Sequence, residues 1–194
     1  MSKQAAKAAN PYASGKAESA EASSLSYPRS RIALFVLPAV LGLAADLVSK
    51  WWMFSQPGLR FGEIWWVIND YAGFQLSLNQ GALFGMGQGL VWLFATFGIA
   101  AAVALPIWLF RFGAATDALL TFALGCVMAG ILGNLYDRLG LHGEEIKAVR
   151  DFILLQWGAD YRWPNFNIAD MLLVIGAAIV FYRSLFQPDK KAES

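Results

Sequence analysis

The residues of this chain that could do chemistry are few, and they stand in short blocks inside or beside long apolar runs. Asp46 and Lys50 sit at i and i+4, the acid-before-base order of a helical ion pair. Asn134 and Asp137, followed at once by Arg138, are three residues apart and share a helix face, and Asn167 and Asp170 repeat that spacing. Each block also has a purely structural reading: an ion pair near an interface, a solvated helix C-terminus complemented by Arg138, and a helix N-cap with an acid at N3. An ionisable side chain inside a membrane span costs about 2.5 to 3.5 kcal/mol on insertion scales, so each block calls for a partner or a function.

One more acid completes the set. The stretch Val149-Arg-Asp-Phe-Ile-Leu-Leu155 begins with charge and turns strongly apolar. It reads as a segment that dips toward the membrane and carries Asp151 toward Asp170. Two carboxylates in a poorly hydrated place do not both ionise cheaply, so one holds a proton and the pair supplies a base and an acid at once. The chemistry that follows is peptide hydrolysis by water activated at one carboxylate, against a carbonyl polarised by the other, with neither metal nor covalent intermediate. Spacing alone leaves Asp137 able to serve nearly as well as Asp151.

Other chemistries lack their residues. Cys126 is the only cysteine, inside an apolar run, and His142 the only histidine, inside a polar loop. Disulfides, thiolate metal sites, paired-histidine zinc sites and Ser-His or Cys-His nucleophile pairs are therefore not expected, and no metal or cofactor is. The net charge is +1 and no basic block lies outside the N-terminal tail, which removes a nucleic-acid partner from consideration.

The elements that must position these residues are membrane spans. Hydrophobic residues make up 57% of the 194 residues and charged ones only 15%, an imbalance that points to a membrane protein. Residues 32–54, 89–110, about 119–136 and about 168–186 are each apolar enough and long enough to cross a hydrocarbon core of roughly 30 Å. A cleaved secretory signal is the alternative for residues 32–45, but the apolar run continues two turns past Asp46 into an aromatic cluster. Residues 1–30 are rich in Ala, Ser and Lys and read as a disordered cytoplasmic tail, residues 31–187 as a four-span domain, and residues 188–194 as a second cytoplasmic tail.

With the N-terminus inside, nine of the fifteen basic residues lie on the cytoplasmic side, and seven of the eight tryptophans, all but Trp108, fall on or near the outer side. The outer connections carry structure of their own. Phe74-Gln-Leu-Ser-Leu-Asn79 alternates with period two after Ile64-Trp-Trp-Val-Ile68 and the turn residues Asn69 to Gly73, the pattern of a small hairpin or sheet resting on the membrane. Gly85-Met-Gly-Gln-Gly89 lacks the spacing of a phosphate loop and reads as a flexible strand-to-helix connection.

Five blocks in order, Asp46-Leu-Val-Ser-Lys50, Asn79-Gln-Gly-Ala-Leu-Phe-Gly85, Gly130-Ile-Leu-Gly-Asn-Leu-Tyr-Asp-Arg138, Val149-Arg-Asp-Phe-Ile153 and Phe166-Asn-Ile-Ala-Asp170, resemble the lipoprotein signal peptidase (signal peptidase II) family over residues 32–187. The resemblance implies a membrane all-α fold with a small β part: four transmembrane helices, a periplasmic β-cradle and an outer loop forming a lid. It implies an aspartyl endopeptidase of the bacterial inner membrane that cuts diacylglyceryl-modified prolipoproteins just before the lipidated cysteine, among membrane lipids, and that is inhibited by globomycin. By position it makes Asp151 and Asp170 the catalytic pair, with Asp46, Lys50, Asn79, Asn134, Asp137, Arg138 and Asn167 supporting the dyad and the substrate backbone. The chain departs from the family pattern in its long N-terminal tail, in the thirteen residues between Asp137 and Asp151, and in Ala129, where a second glycine is common.

Two other readings compete. A transporter would show internal repeats and broken spans, neither of which is present, and a non-catalytic assembly or lipid-binding protein would leave the polar blocks as caps and interface anchors only. Deleting residues 1–28 is expected to leave peptide cleavage intact; loss of cleavage in a normally inserted protein would contradict a remote, disordered tail.

Overall fold

The computed structural model describes residues 27–81, 86–143, 145–158 and 161–186. Most of the N-terminal tail, four residues of the Asn79 to Gly85 block and the C-terminal tail lie outside this set. Four helices form where the apolar runs predict them: α1 (Ser30–Phe54), α2 (Val91–Arg111), α3 (Ala118–Arg138) and α4 (Ile168–Phe186). All four are long and apolar enough to cross a membrane. Their roles differ. In α3, 67% of the most apolar stretch is buried, against 17% in α1 and 11% in both α2 and α4, so α3 is the central helix and the others face outward around it.

The helices end where local chemistry requires. After α2, Gly113 takes a left-handed conformation (φ 80°) that closes the turn, and Asp117 then caps α3 by accepting from the backbone N–H of Leu120 at 2.9 Å. The same carboxylate accepts from Arg183 Nε at 2.8 Å and ties the start of α3 to the end of α4. Helix α4 opens with a reciprocal capping box: the N–H of Asp170 donates to Asn167 Oδ1 at 2.9 Å and the N–H of Asn167 to Asp170 Oδ2 at 3.1 Å.

At the end of the bundle where α3 stops and α4 begins lies a four-stranded antiparallel sheet, in the order β1 (Trp65–Ile68), β2 (Ala72–Asn79), β3 (Val149–Trp157) and β4 (Tyr161–Arg162). Strands β1 and β2 are the hairpin that the alternation predicts. One expectation is corrected at β3: the charged-to-apolar stretch of the second outer connection is an inner strand, with Ser77 opposite Asp151 and Asn79 opposite Val149. Its first four residues are buried, which explains an apolar run without alternation. The β2–β3 register shifts between Phe74 and Ser77, and there the Gln75 carbonyl accepts from Asn165 Nδ2 at 2.9 Å. Ile153 and Phe166 exchange backbone hydrogen bonds of 2.8 and 3.1 Å, which fixes residues 163–167 along β3 and delivers Asn167 beside it.

Two apolar clusters hold the frame. One, around Phe35, Leu109, Leu120, Leu124 and Met128, packs the end of the bundle away from the sheet; the other, around Met53, Leu59, Leu76 and Phe152, joins α1 to the sheet. The buried face of α1 reads Phe35, Ala39, Asp46, Lys50, Met53, so its only buried charges lie between the two clusters. Small residues let the helices close over them. Gly130 of α3 sits against the Ala169 carbonyl, and a Cβ on Gly133 would collide with the Asp46 carboxylate. Ala129, in place of a second glycine, is fully buried against Gly42.

Gly133→Ala is therefore expected to destabilise the protein by about 1 to 3 kcal/mol, read as a lowered unfolding midpoint in detergent. Gly98→Ala, whose new methyl would meet Leu135 at an ordinary 3.4 Å, should change little. Equal effects at both positions would contradict the close approach at Gly133.

Candidate active site

The polar blocks of the sequence converge between α1, the last turns of α3, the start of β3 and the first turn of α4. Lys50 is their hub. Its ammonium lies 2.8 Å from Asp46 Oδ2 and 3.1 Å from Asp137 Oδ2, and donates to Asn134 Oδ1 at 3.1 Å. The side chains of Lys50, Asp46 and Asp137 are all 0% exposed. Asp46 in turn accepts from the backbone N–H of Ala169 at 2.9 Å, so the i, i+4 pair on α1 also anchors the start of α4.

Asp137 is held from two sides. Arg150 donates to its Oδ1 from Nε at 3.0 Å and from Nη2 at 2.8 Å, and the Arg150 backbone N–H donates to its Oδ2 at 2.9 Å. Arg150 was not among the residues singled out from the sequence. In a strand, neighbours point to opposite faces, so Arg150 turns to Asp137 while Asp151 turns the other way, but the sequence carries no alternation here that could have shown it. Asp137 thus serves as counter-ion to Lys50 and Arg150 together.

Asp151 and Asp170 have different surroundings. Asn167 Nδ2 donates to Asp151 Oδ1 at 2.6 Å and to Asn134 Oδ1 at 3.1 Å, and Asn134 Nδ2 donates to Asp170 Oδ1 at 2.8 Å. Asn79 also hydrogen-bonds Asp151. Among the described residues no cation forms an ion pair with either carboxylate. Burial pushes the Asp151 carboxyl up to about 7, and the neighbouring Asp170 charge adds to the rise against the lowering effect of Asn167, Lys50 and Asn79. Asn167 and Asp170 together cap α4, and Asn167 also donates to Asp151.

Arg138 donates to the Gly81 carbonyl at 3.0 Å and lies over the Phe94 ring, joining the ends of α3, α2 and β2. Two cavities meet at the carboxylates. One, of about 450 Å³, runs between α2, α3 and α4, is lined by Phe94, Ile131, Leu135, Leu173 and Val174, and ends at Asn134 and Asp170. The other, of about 550 Å³, lies along the sheet and is lined by Ser77, Gln88, Asp151 and Arg162. Asn79, Trp163, Pro164 and Asn165 border both. Such a site presents a proton-carrying carboxyl and a second carboxylate at the junction of an apolar channel and a polar one. Among the described residues no three His, Cys, Asp or Glu side chains cluster as metal ligands.

Residues 38–186 match the model of the family described as Signal peptidase (SPase) II. A lipoprotein signal peptidase of Rhodopirellula baltica is 46% identical over 165 residues, spanning 81% of this chain and 74% of that protein. One of Pseudomonas fluorescens is 38% identical, spanning 80% of this chain and 89% of that protein. A solved bacterial membrane enzyme shares the fold with a TM-score of 0.71 at 29% identity, over 84% of this chain and 94% of that one. A second gives 0.67 at 28% identity, over 81% and 95%.

Replacing Lys50 by Met would leave two buried carboxylates short of a counter-charge, at an expected cost of about 3 to 5 kcal/mol. Arg183→Met breaks a partly exposed pair and should cost no more than about 1 kcal/mol. Denaturant unfolding of both variants in one detergent checks this ordering, and a Lys50 variant as stable as wild type would overturn it.

Proposed function

The chain belongs to the signal peptidase II family, whose members are aspartic endopeptidases that remove signal peptides from prolipoproteins, and from that premise we propose that Asp151 and Asp170 form its catalytic dyad. The observation that carries the assignment is the difference between two kinds of buried acid. Asp46 and Asp137 each lie against a cation, whereas Asp151 and Asp170 share amide donors and face the cavity junction. Asp151, with its carboxyl pushed up to about 7, holds the proton and donates it to the scissile carbonyl oxygen. Asp170 takes a proton from the water that attacks the carbonyl carbon. Collapse of the tetrahedral intermediate then breaks the C–N bond as a proton passes to the leaving nitrogen.

Asn134 and Asn167 hold the two carboxylates through their amides, while Lys50, Asp46 and Asp137 hold Asn134 and the start of α4. Asn79 and Arg138, at the cavity borders, are placed to meet the substrate backbone.

The substrate we infer is a prolipoprotein whose cysteine carries diacylglyceryl, cut just before that cysteine. The apolar cavity between α2, α3 and α4 suits the signal segment and acyl chains, each buried CH₂ contributing about 0.8 kcal/mol. Four apolar helices make this a multi-pass membrane protein. The distribution of basic residues supports insertion in the bacterial inner membrane with both termini cytoplasmic and the dyad near the outer face. Globomycin, on this reading, competes for the same cavity.

Asp151→Asn and Asp170→Asn should each lower cleavage of a diacylglyceryl-modified prolipoprotein by at least about a thousandfold, with normal folding, and unlipidated precursor should be ignored. Because the proton on Asp151 is needed and is lost as pH rises through about 7, the wild-type rate should fall above that pH. Cleavage that persists in both asparagine variants would overturn the assignment.

A further inference from the structure

Arg162 of β4 borders the sheet-side cavity, and among the described residues its guanidinium is held by neutral amides. Nε and Nη2 donate to Gln156 Oε1 at 3.3 and 3.2 Å, and Nη1 donates to Gln75 Oε1 at 3.3 Å. A guanidinium carries five N–H donors, so one remains on each terminal nitrogen, the pair that matches the two oxygens of a carboxylate. Among the described residues the ion pairs belong to Lys50, Arg150 and Arg183, and none involves Arg162.

Arg162 is exposed, and its head is oriented from the sheet. Gln156 is buried on β3 and Gln75 lies on β2 at the register shift, so two strands orient the head before anything binds. Of the described residues lining the cavity, Arg162 is the sole cation and Asp151 the sole acid, and the other polar ones are amides and a serine. A peptide whose scissile bond lies at Asp151 and whose next residues leave through this cavity passes Arg162. The apolar cavity on the other side of the dyad offers the signal segment its own path.

We propose that Arg162 is a specificity-determining residue that selects an acidic side chain, Asp or Glu, in the first few residues on the C-terminal side of the cut. This rests on the reading of Asp151 and Asp170 as the dyad. Arg162 does no chemistry itself: it forms a charge-assisted pair with the departing segment and raises the capture of substrates that carry a carboxylate there.

The test uses lipid-modified prolipoproteins with Asp, Asn or Lys at the second to fourth positions after the cysteine. The full-length wild type, Arg162→Ala and Arg162→Glu are compared in detergent mixed with neutral or with anionic phospholipid. The wild type should prefer the Asp substrate over the Asn substrate by about fivefold in kcat/KM, less at high salt. Arg162→Ala should lose that preference while cutting the Asn substrate at the wild-type rate, and Arg162→Glu should prefer Lys. Indifference of the wild type to substrate charge, with equal slowing of every substrate by Arg162→Ala, overturns the proposal. So does a loss that follows anionic lipid rather than substrate charge, which would make Arg162 a headgroup contact. If the folded wild type cuts no substrate, the peptidase reading falls first and this proposal with it.

Discussion

Four charges sealed away from water, Asp46, Lys50, Asp137 and Arg150, have to neutralise one another, and the rest of the structure depends on their doing so. Each ion removed from water costs several kcal/mol unless geometry and hydrogen bonds offset it. Here two acids and two bases alternate, from α1 to α3 to β3, at 2.8 to 3.1 Å. Such a chain tolerates little displacement. It obliges α1 and α3 to approach at Gly133, seats α4 through the N–H of Ala169, and locks the start of β3 to the end of α3.

What this network leaves over is the pair of acids that it does not neutralise. Asn134 bridges the two systems, accepting from Lys50 and donating to Asp170, and Asn167 reaches from the α4 cap to Asp151. Neither of these acids forms an ion pair among the described residues, and the charges of Arg138 and Lys50 reach them only from a distance. Burial raises the Asp151 carboxyl to about 7, and the amides hold both side chains in place. A pair neutralised by Lys50 or Arg150 would be equally well positioned but would lack the proton that acid–base hydrolysis needs. The same geometry puts Asp170 on an apolar cavity and Asp151 on a second one along the sheet, which is the basis for proposing that a lipid-anchored substrate is cut between them.

The helices were legible because each is a long, predominantly apolar run, and the observed ends lie within two residues of the expected ones. The hairpin was legible from its alternation. Strand β3 was not, since a strand buried on both faces loses the period-two signal, and residues 149–155 read as apolar rather than extended. The same loss hid Arg150, whose place on the face opposite Asp151 becomes visible only with the strand. Asp46, Lys50, Asn134, Asp137, Asn167 and Asp170 stood out because charge and amides inside apolar helices demand partners. Their helical spacing showed which members of one element share a face. It could not show that Asp137 pairs with Arg150 and Lys50 rather than with Asp170, because that choice depends on contacts between residues distant in sequence. The resemblance to a known family decided for Asp151 earlier than any spacing could.

The claim at the centre of this account is that Asp151 keeps a proton because it is buried beside Asp170 without a cation of its own. Carbon-13 NMR titration of the labelled aspartate carboxyls, assigned by comparing wild type with Asp151→Asn and Asp170→Asn, measures this without a substrate. The account predicts that Asp151 titrates at about 7 in the wild type and at a lower pH once Asp170 is replaced by asparagine. An Asp151 carboxyl already ionised in the ordinary carboxylate range near 4, or one unaffected by the loss of Asp170, would contradict it.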